Sequence, residues 1–213
     1  MGHSNGNAEE PTKRKHGCIV MASGAGTRFG GNKLMADLCG EPLIACTIRA
    51  TDNLFGERVA VTRHADVARL CDAMGIPAIL HDKPLRNDAV LLGMEALRGC
   101  DAVMFVQGDQ PLIDPRTIAA LLRAVADEPG FIWRASFGGV AGAPVVFPSW
   151  AFDELRSLPP AKGGGFVAKA HANRVRVVQA ASAWEMFDVD TPANLQALRR
   201  HVAQSAQHID GAR

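Results

Sequence analysis

The chain is poor in net charge: 23 Lys and Arg against 22 Asp and Glu leave a formal +1 over 213 residues, and the basic residues are scattered. A nucleic-acid surface needs a basic stripe or patch, so nucleic acid is not an expected partner. There is no C-x-x-C pair, and the five cysteines at 18, 39, 46, 71 and 100 make an odd count. Reduced thiols in a cytoplasmic protein follow, not a disulfide frame. The seven histidines show no H-E-x-x-H or other close ligand spacing, which removes the usual signature of zinc. Long apolar runs are also missing. Although Lys13, Arg14 and Lys15 precede it, the stretch from Cys18 to Ala22 is too short for the core of a signal peptide. No membrane segment and no internal repeat is visible.

What is present fits one domain: 213 residues with 47% hydrophobic content are enough to bury a full core. Residues 1–16 are polar and rich in Asn and Gly, and read as a disordered N-terminal tail. The folded domain is expected over 17–204, with a flexible C-terminal tail over 205–213. Apolar strands and helical periodicities alternate through the first half. Arg58–Thr62, Pro77–Leu80 and Ala102–Gln107 read as strands, with helices near Ala65–Met74 and Asp88–Arg98. The continuous apolar run 102–107 suits a central parallel strand buried on both faces. This pattern predicts an α/β fold with one Rossmann-like, doubly wound, mostly parallel sheet.

The second half departs from strict alternation. Phe131–Phe137 and Ala143–Phe147 read as strands around Gly138–Gly142, a small β excursion placed to cover the site. Ser149–Leu158 reads as a helix, and 159–165 as a flexible loop before a short helix toward His171. Arg174–Gln179 and Glu185–Val189 are expected closing strands, and Thr191 caps a final helix that opens with Pro192.

The stretch Cys18–Lys33 organises the rest: an apolar run breaks into four glycines interleaved with Arg28 and Lys33. Glycines bring backbone N–H groups close to an anion, and the two cations add mobile positive charge. Two familiar phosphate loops do not fit. For G-x-x-x-x-G-K-S/T starting at Gly26, the residue after Gly31 is Asn32, and Lys33 is followed by Leu34 without a hydroxyl. For G-x-G-x-x-G, Phe29 stands where the third glycine belongs.

From Met21 to Lys33 the chain resembles the signature of nucleotidyltransferases, Leu-Ala-Ala-Gly-x-(Gly/Ser)-x-Arg-(Met/Phe)-Gly-x-x-Lys, with Ser23 in place of the second alanine. The resemblance implies that Gly24, Ala25, Gly26 and Thr27 wrap a triphosphate, that Arg28 and Lys33 hold phosphate oxygens as catalytic cations, and that Ala22 and Ser23 lie near the base. Gly108-Asp-Gln-Pro-Leu-Ile113, Gly142-Ala-Pro-Val-Val-Phe147 and Asp188-Val-Asp-Thr-Pro-Ala-Asn-Leu195 resemble motifs of the molybdenum-cofactor nucleotidyltransferases, above all the molybdopterin cytidylyltransferases. Over Leu85–Met94 the chain is similar instead to an element of methylerythritol cytidylyltransferases, which implies nucleotide contacts from Arg86 and Asp88. The family's Gly-Asp-x-Gly-Ala-Arg element is replaced by Ala161-Lys-Gly-Gly-Gly-Phe166, so no acceptor contact carries over there.

The chemistry this implies is transfer of CMP from CTP to the phosphate of molybdopterin, with loss of pyrophosphate. Asp109 and Asp190 are the expected Mg2+ ligands, Asp188 is held in reserve, and Gly142, Ala143 and Pro144 are expected at the acceptor. A phosphomonoester is already largely ionised at neutral pH, so the absence of a general base is consistent with this chemistry. The alternatives are a GTP-using molybdopterin guanylyltransferase, a cytidylyltransferase for a sugar or alcohol phosphate, and a non-catalytic accessory protein that delivers nucleotide or cofactor to a client molybdenum hydroxylase.

Overall fold

The computed structural model describes residues 15–210. Most of the expected N-terminal tail therefore lies outside the described residues. Lys15 and His16 belong to the fold: the Lys15 amide donates to Asp101 at 2.8 Å, and β1 begins at His16. At the other end the last helix runs on to Asp210, past the expected limit of 204, and 211–213 lie outside the described residues.

The elements are β1 (His16–Ala22), α1 (Leu43–Ala50), β2 (Glu57–Thr62), α2 (Ala65–Ala73), β3 (Ala78–Leu80), α3 (Arg86–Ala96), β4 (Ala102–Gln107), α4 (Pro115–Asp127), β5 (Ile132–Phe137), β6 (Val140–Pro148), α5 (Phe152–Arg156), α6 (Gly164–Ala170), β7 (Val175–Gln179) and α7 (Pro192–Asp210). The seven strands form one sheet in the order β3-β2-β1-β4-β6-β5-β7. β6 pairs antiparallel with both β4 and β5, and every other pairing is parallel.

Period-two alternation sends successive strand residues to opposite faces. Cys18, Val20, Met104 and Val106 pack under α1, α2, α4 and α7, while Ile19, Val61, Val103 and Phe105 pack under α3, α5 and α6. The helix starts follow local chemistry. Asp114 caps α4 by accepting from the Arg116 amide at 2.7 Å, with Pro115 at the first position. The Thr191 hydroxyl accepts from the Asn194 amide at 3.2 Å ahead of Pro192.

Two expectations change. The β excursion is a hairpin built into the sheet: β6 lies between β4 and β5, because its inward residues Val145 and Phe147 complete the apolar floor beside Phe105. It widens the sheet and does not cover the site. Residues 185–189 are not a strand. Ala183–Met186 is a 3-10 turn whose buried Glu185 accepts from the amides of Ala181 at 2.8 Å and Asp114 at 3.3 Å. Tying down those loop amides takes precedence over pairing in the sheet.

Candidate active site

The loop after β1 turns at Gly26, whose carbonyl accepts from the amides of Phe29 at 2.9 Å and Gly30 at 3.1 Å. Gly26 has φ +62°, and a Cβ there would lie 2.1 Å from the Gly31 carbonyl oxygen, so only glycine makes this turn. Asn32 then caps a 3-10 turn over Lys33–Met35 and is itself held by both carboxylate oxygens of Asp66, at 2.9 and 3.0 Å. That brace aims Lys33 back under the loop.

Lys33 Nζ donates to Asp109 Oδ2 at 2.6 Å and to Asp190 Oδ1 at 2.8 Å, and Arg28 donates to Asp190 Oδ2 at 2.9 Å. The Lys33 side chain is only 9% exposed, against 20% for Asp109 and 30% for Asp190. Burial works against the charge of Lys33, but the hydrogen bonds it donates to Asp109 and Asp190 outweigh this and, with the charges of those carboxylates, raise the ammonium above its ordinary value. The bond from Lys33 holds the Asp190 carboxyl below the usual carboxylate range despite partial burial, with further help from the charge of Arg28. Asp109 reaches this point from the end of β4, and the two carboxylate segments are stitched together by the Val189 amide, which donates to the Asp109 carbonyl at 3.0 Å.

Asp188 turns the other way and accepts from Gln110 Nε2 at 2.9 Å. Partial burial, followed by the charge of Asp109, raises its carboxyl. Of the two acids before the last helix, it is therefore Asp190 that faces the loop cations. Among the described residues no group of three His, Cys, Asp or Glu side chains gathers to hold a metal. Asp109 and Asp190 nonetheless meet the same ammonium, and two hard carboxylates that leave room for phosphate oxygens and water suit Mg2+ or a similar cation.

A cavity of about 1120 Å³ opens over this cluster, and Ala22 to Arg28, Lys33, Asp109 and Asp190 all line it. Arg63, Leu85, Arg86 and Ala89 also line it, as do Phe105 and Val145 of the sheet and a roof of residues 161–166 and Lys169, which meets the start of α3 through the Ala161 amide on Asn87 Oδ1 at 3.0 Å. Arg86 thus lines the cavity, but Asp88 does not: its carboxylate accepts from the Leu85 amide at 3.1 Å and caps α3. Gly142, Ala143 and Pro144 also lie outside the lining, because the hairpin is part of the sheet and Val145 is its residue at the cavity. The Ser23 hydroxyl is turned into the protein. It donates to the Val61 carbonyl at 2.9 Å and lies 2.8 Å from His81 Nε2, whose N–H it accepts.

Sequence reasoning missed two histidines. His81 holds Ser23, and His64 Nε2 lies 2.9 Å from the Gly24 carbonyl, so consecutive loop residues are tied to the ends of β2 and β3. Burial, then the charge of Arg63, lowers the His81 pKa below 6.5, against the pull of Asp88 and Asp82. Position after a strand was the only available signal for either histidine. All five cysteines are free. Among the described residues no helix is long and apolar enough to cross a membrane.

A glycine loop after the first strand of a mostly parallel sheet, with a lysine bridging one carboxylate after β4 and another just ahead of α7, defines a nucleotidyltransferase-like α/β domain. Residues 18–177 match the family described as the MobA-like NTP transferase domain, and the chain belongs to that family. It is 39% identical over 119 residues to a 3-deoxy-manno-octulosonate cytidylyltransferase from Acidovorax sp. (strain JS42), covering 51% of this chain and 44% of the relative. It is 34% identical over 139 residues to the bifunctional enzyme IspD/IspF of Rhodobacter capsulatus, covering 58% of this chain and 36% of the relative. The chain therefore spans less than half the length of these curated relatives. Among solved structures, Rv0371c from Mycobacterium tuberculosis H37Rv superposes with a TM-score of 0.77 at 19% identity, over 88% of this chain and 99% of that one. A manganese complex of Rv0371c superposes at 0.69 with 18% identity, over 87% and 98%. These likenesses support the fold.

Proposed function

We propose that the protein transfers CMP from CTP to the phosphate of a small-molecule acceptor and releases pyrophosphate. The observation that carries this reading is Lys33, held under the glycine loop by Asp109 and Asp190. The loop of residues 24–27 receives the triphosphate, and Arg28 and Lys33 neutralise its oxygens. An acceptor phosphate oxygen attacks the α-phosphorus, a P–O–P bond forms, the α–β bond breaks and its electrons leave with pyrophosphate. At neutral pH the nucleophile is already ionised, so positioning and charge do the catalytic work and no base is required.

Asp109 and Asp190 would hold a divalent cation, Mg2+ in our reading, which when bound supplies positive charge to the triphosphate. Lys33 then turns from the carboxylates to the phosphates, and Arg28 follows from Asp190. Cytidine is supported by the name of one relative, a cytidylyltransferase, and by the sequence element over 85–94.

Two acceptors are in play. A sugar-derived acceptor is favoured by the relatives, one of which is named for the sugar acid 3-deoxy-manno-octulosonate. Molybdopterin is favoured by the motifs at 108–113, 142–147 and 188–195. Pyrophosphate release with CTP, GTP or ATP against molybdopterin and a panel of sugar and alcohol phosphates tests the proposal. Turnover is expected with CTP and Mg2+; no turnover with any pair would leave a binding protein and overturn the enzyme reading.

A further inference from the structure

The segment that ends β2 and opens α2 grips the glycine loop repeatedly. The Val61 carbonyl accepts from the Ser23 hydroxyl at 2.9 Å, and the Thr62 hydroxyl donates to the Ala22 carbonyl at 3.0 Å. His64 Nε2 lies 2.9 Å from the Gly24 carbonyl, and Asp66 holds Asn32. Between these ties Arg63 lines the cavity.

His64 stands where the sequence would favour another residue. It immediately precedes the first turn of α2, a position at which Ser, Thr, Asp or Asn caps a helix with a side-chain oxygen. The His64 side chain makes no such cap. Its carbonyl opens the helix by accepting from the Ala68 amide at 3.0 Å, and its ring is turned to the loop instead. The ring is placed from below: the His64 amide donates to Thr62 Oγ1 at 3.1 Å, and this buried hydroxyl is the one that holds the Ala22 carbonyl.

A carbonyl oxygen only accepts, so Nε2 is the protonated ring nitrogen. Gly24 and Ala25 line the cavity and His64 does not. The Gly24 carbonyl, drawn to the ring, therefore points away from the cavity. In a trans peptide the carbonyl and the N–H point in opposite directions, so the Ala25 N–H points into it. Among the described residues no group accepts from that amide. It is an open donor in a cavity also lined by Arg28, Lys33 and Arg63. Packing does not fix this peptide, because a Cβ on Gly24 would meet nothing within 4 Å.

We infer that His64 is a positioning residue for the triphosphate: by holding the Gly24 carbonyl, it aims the Ala25 N–H at a phosphate oxygen. A donor fixed in advance needs no reorganisation when the anion arrives. Without the ring the peptide loses its tether, and the donor is no longer held toward the phosphate. This deepens the transfer reading above and rests on it for the identity of the anion.

Inorganic triphosphate with Mg2+ tests it, since this probe carries the phosphates without the nucleoside. In isotope-labelled wild-type protein, the Ala25 amide proton resonance is expected to move downfield as triphosphate binds. Two variants separate aim from bulk. The side-chain nitrogen of Gln stands where Nε2 stands and that of Asn where Nδ1 stands, so H64Q keeps the donor and H64N does not. By titration calorimetry H64N should bind triphosphate about tenfold more weakly, the size of a hydrogen bond to a charged group. It should also lose the Ala25 shift, and H64Q should restore both, in proteins whose other amide resonances match wild type. A wild-type Ala25 resonance that stays in place, or equal affinities for H64N and H64Q, overturns the inference. Turnover with CTP is assayed separately. If no acceptor is turned over while the His64-dependent shift persists, the transfer reading falls and the positioning role stands. If turnover occurs and the Ala25 amide does not respond, the positioning role falls and the transfer reading stands.

Discussion

The two ends of the cavity treat charge in opposite ways. At the loop end the charges under the glycine turn are paired: Lys33 joins Asp109 and Asp190, Arg28 joins Asp190, and His64 and His81 pin the loop. At the roof end Lys162 and Lys169 form no ion pair among the described residues, and Phe166 lines the cavity 46% exposed. The paired end is held in place before any substrate arrives, and in our proposal Lys33 and Arg28 exchange carboxylate oxygens for phosphate oxygens there. The unpaired end keeps its ammonium groups hydrated until an anion replaces that water. One end is built for a fixed part of the substrate and the other for the part that varies.

The largest effect should come from Asp109→Ala at the paired end. Pyrophosphate release with CTP is expected to fall at least about a hundred- to a thousandfold while the fold is retained; Mg2+-dependent turnover at the wild-type rate would remove Asp109 from the site. Lys33→Ala comes next. It should lower kcat by a similar order, and it should also destabilise the protein by about 1–3 kcal/mol, because two carboxylates lose a nearly buried partner. A change confined to KM, read from steady-state kinetics, would assign Lys33 to ground-state binding alone.

A smaller, pH-dependent effect belongs to His81. Its folded pKa lies below 6.5, so as pH falls the unfolded chain takes up the proton first and stability is lost from about pH 6.5 downward. His81→Asn should flatten the decline in Tm between pH 7.5 and 5; an unchanged slope would mean that the pin to Ser23 is not a titrating one. The smallest effect is expected at the roof. Lys162→Ala and Lys169→Ala break no ion pair and should shift stability by no more than about 0.5 kcal/mol in either direction. A clear drop in Tm would show hidden pairing and erase the contrast between the ends.

Local chemistry made much of this readable from sequence. The glycines after β1, the apolar run of β4 ahead of Asp109, and the Asp114-Pro115 and Thr191-Pro192 caps each carry their signal within a few residues. What was not readable depends on distant partners. Phe131–Phe137 and Ala143–Phe147 are strands in sequence and in structure, but only packing against Phe105 decides that β6 enters the main sheet. Residues 185–189 read as a strand in sequence, yet Glu185 is used to satisfy loop amides and Val189 bonds to Asp109. Asp188 and Asp190 look equivalent in sequence, and only Gln110 on one side and Lys33 on the other separate them.

The bond between the Val189 amide and the Asp109 carbonyl has a consequence for how the protein comes into being. Lys33 and Asp190 are 157 residues apart in the chain. A ribosome therefore delivers the whole glycine loop, its lysine and the first carboxylate well before the residues that close the circuit. Until 189 and 190 dock, Lys33 has one acid and Arg28 has none. Nascent chains and fragments ending before this point carry the glycine loop without its second carboxylate, and the cluster proposed here for transfer is complete only with the last stretch of the domain.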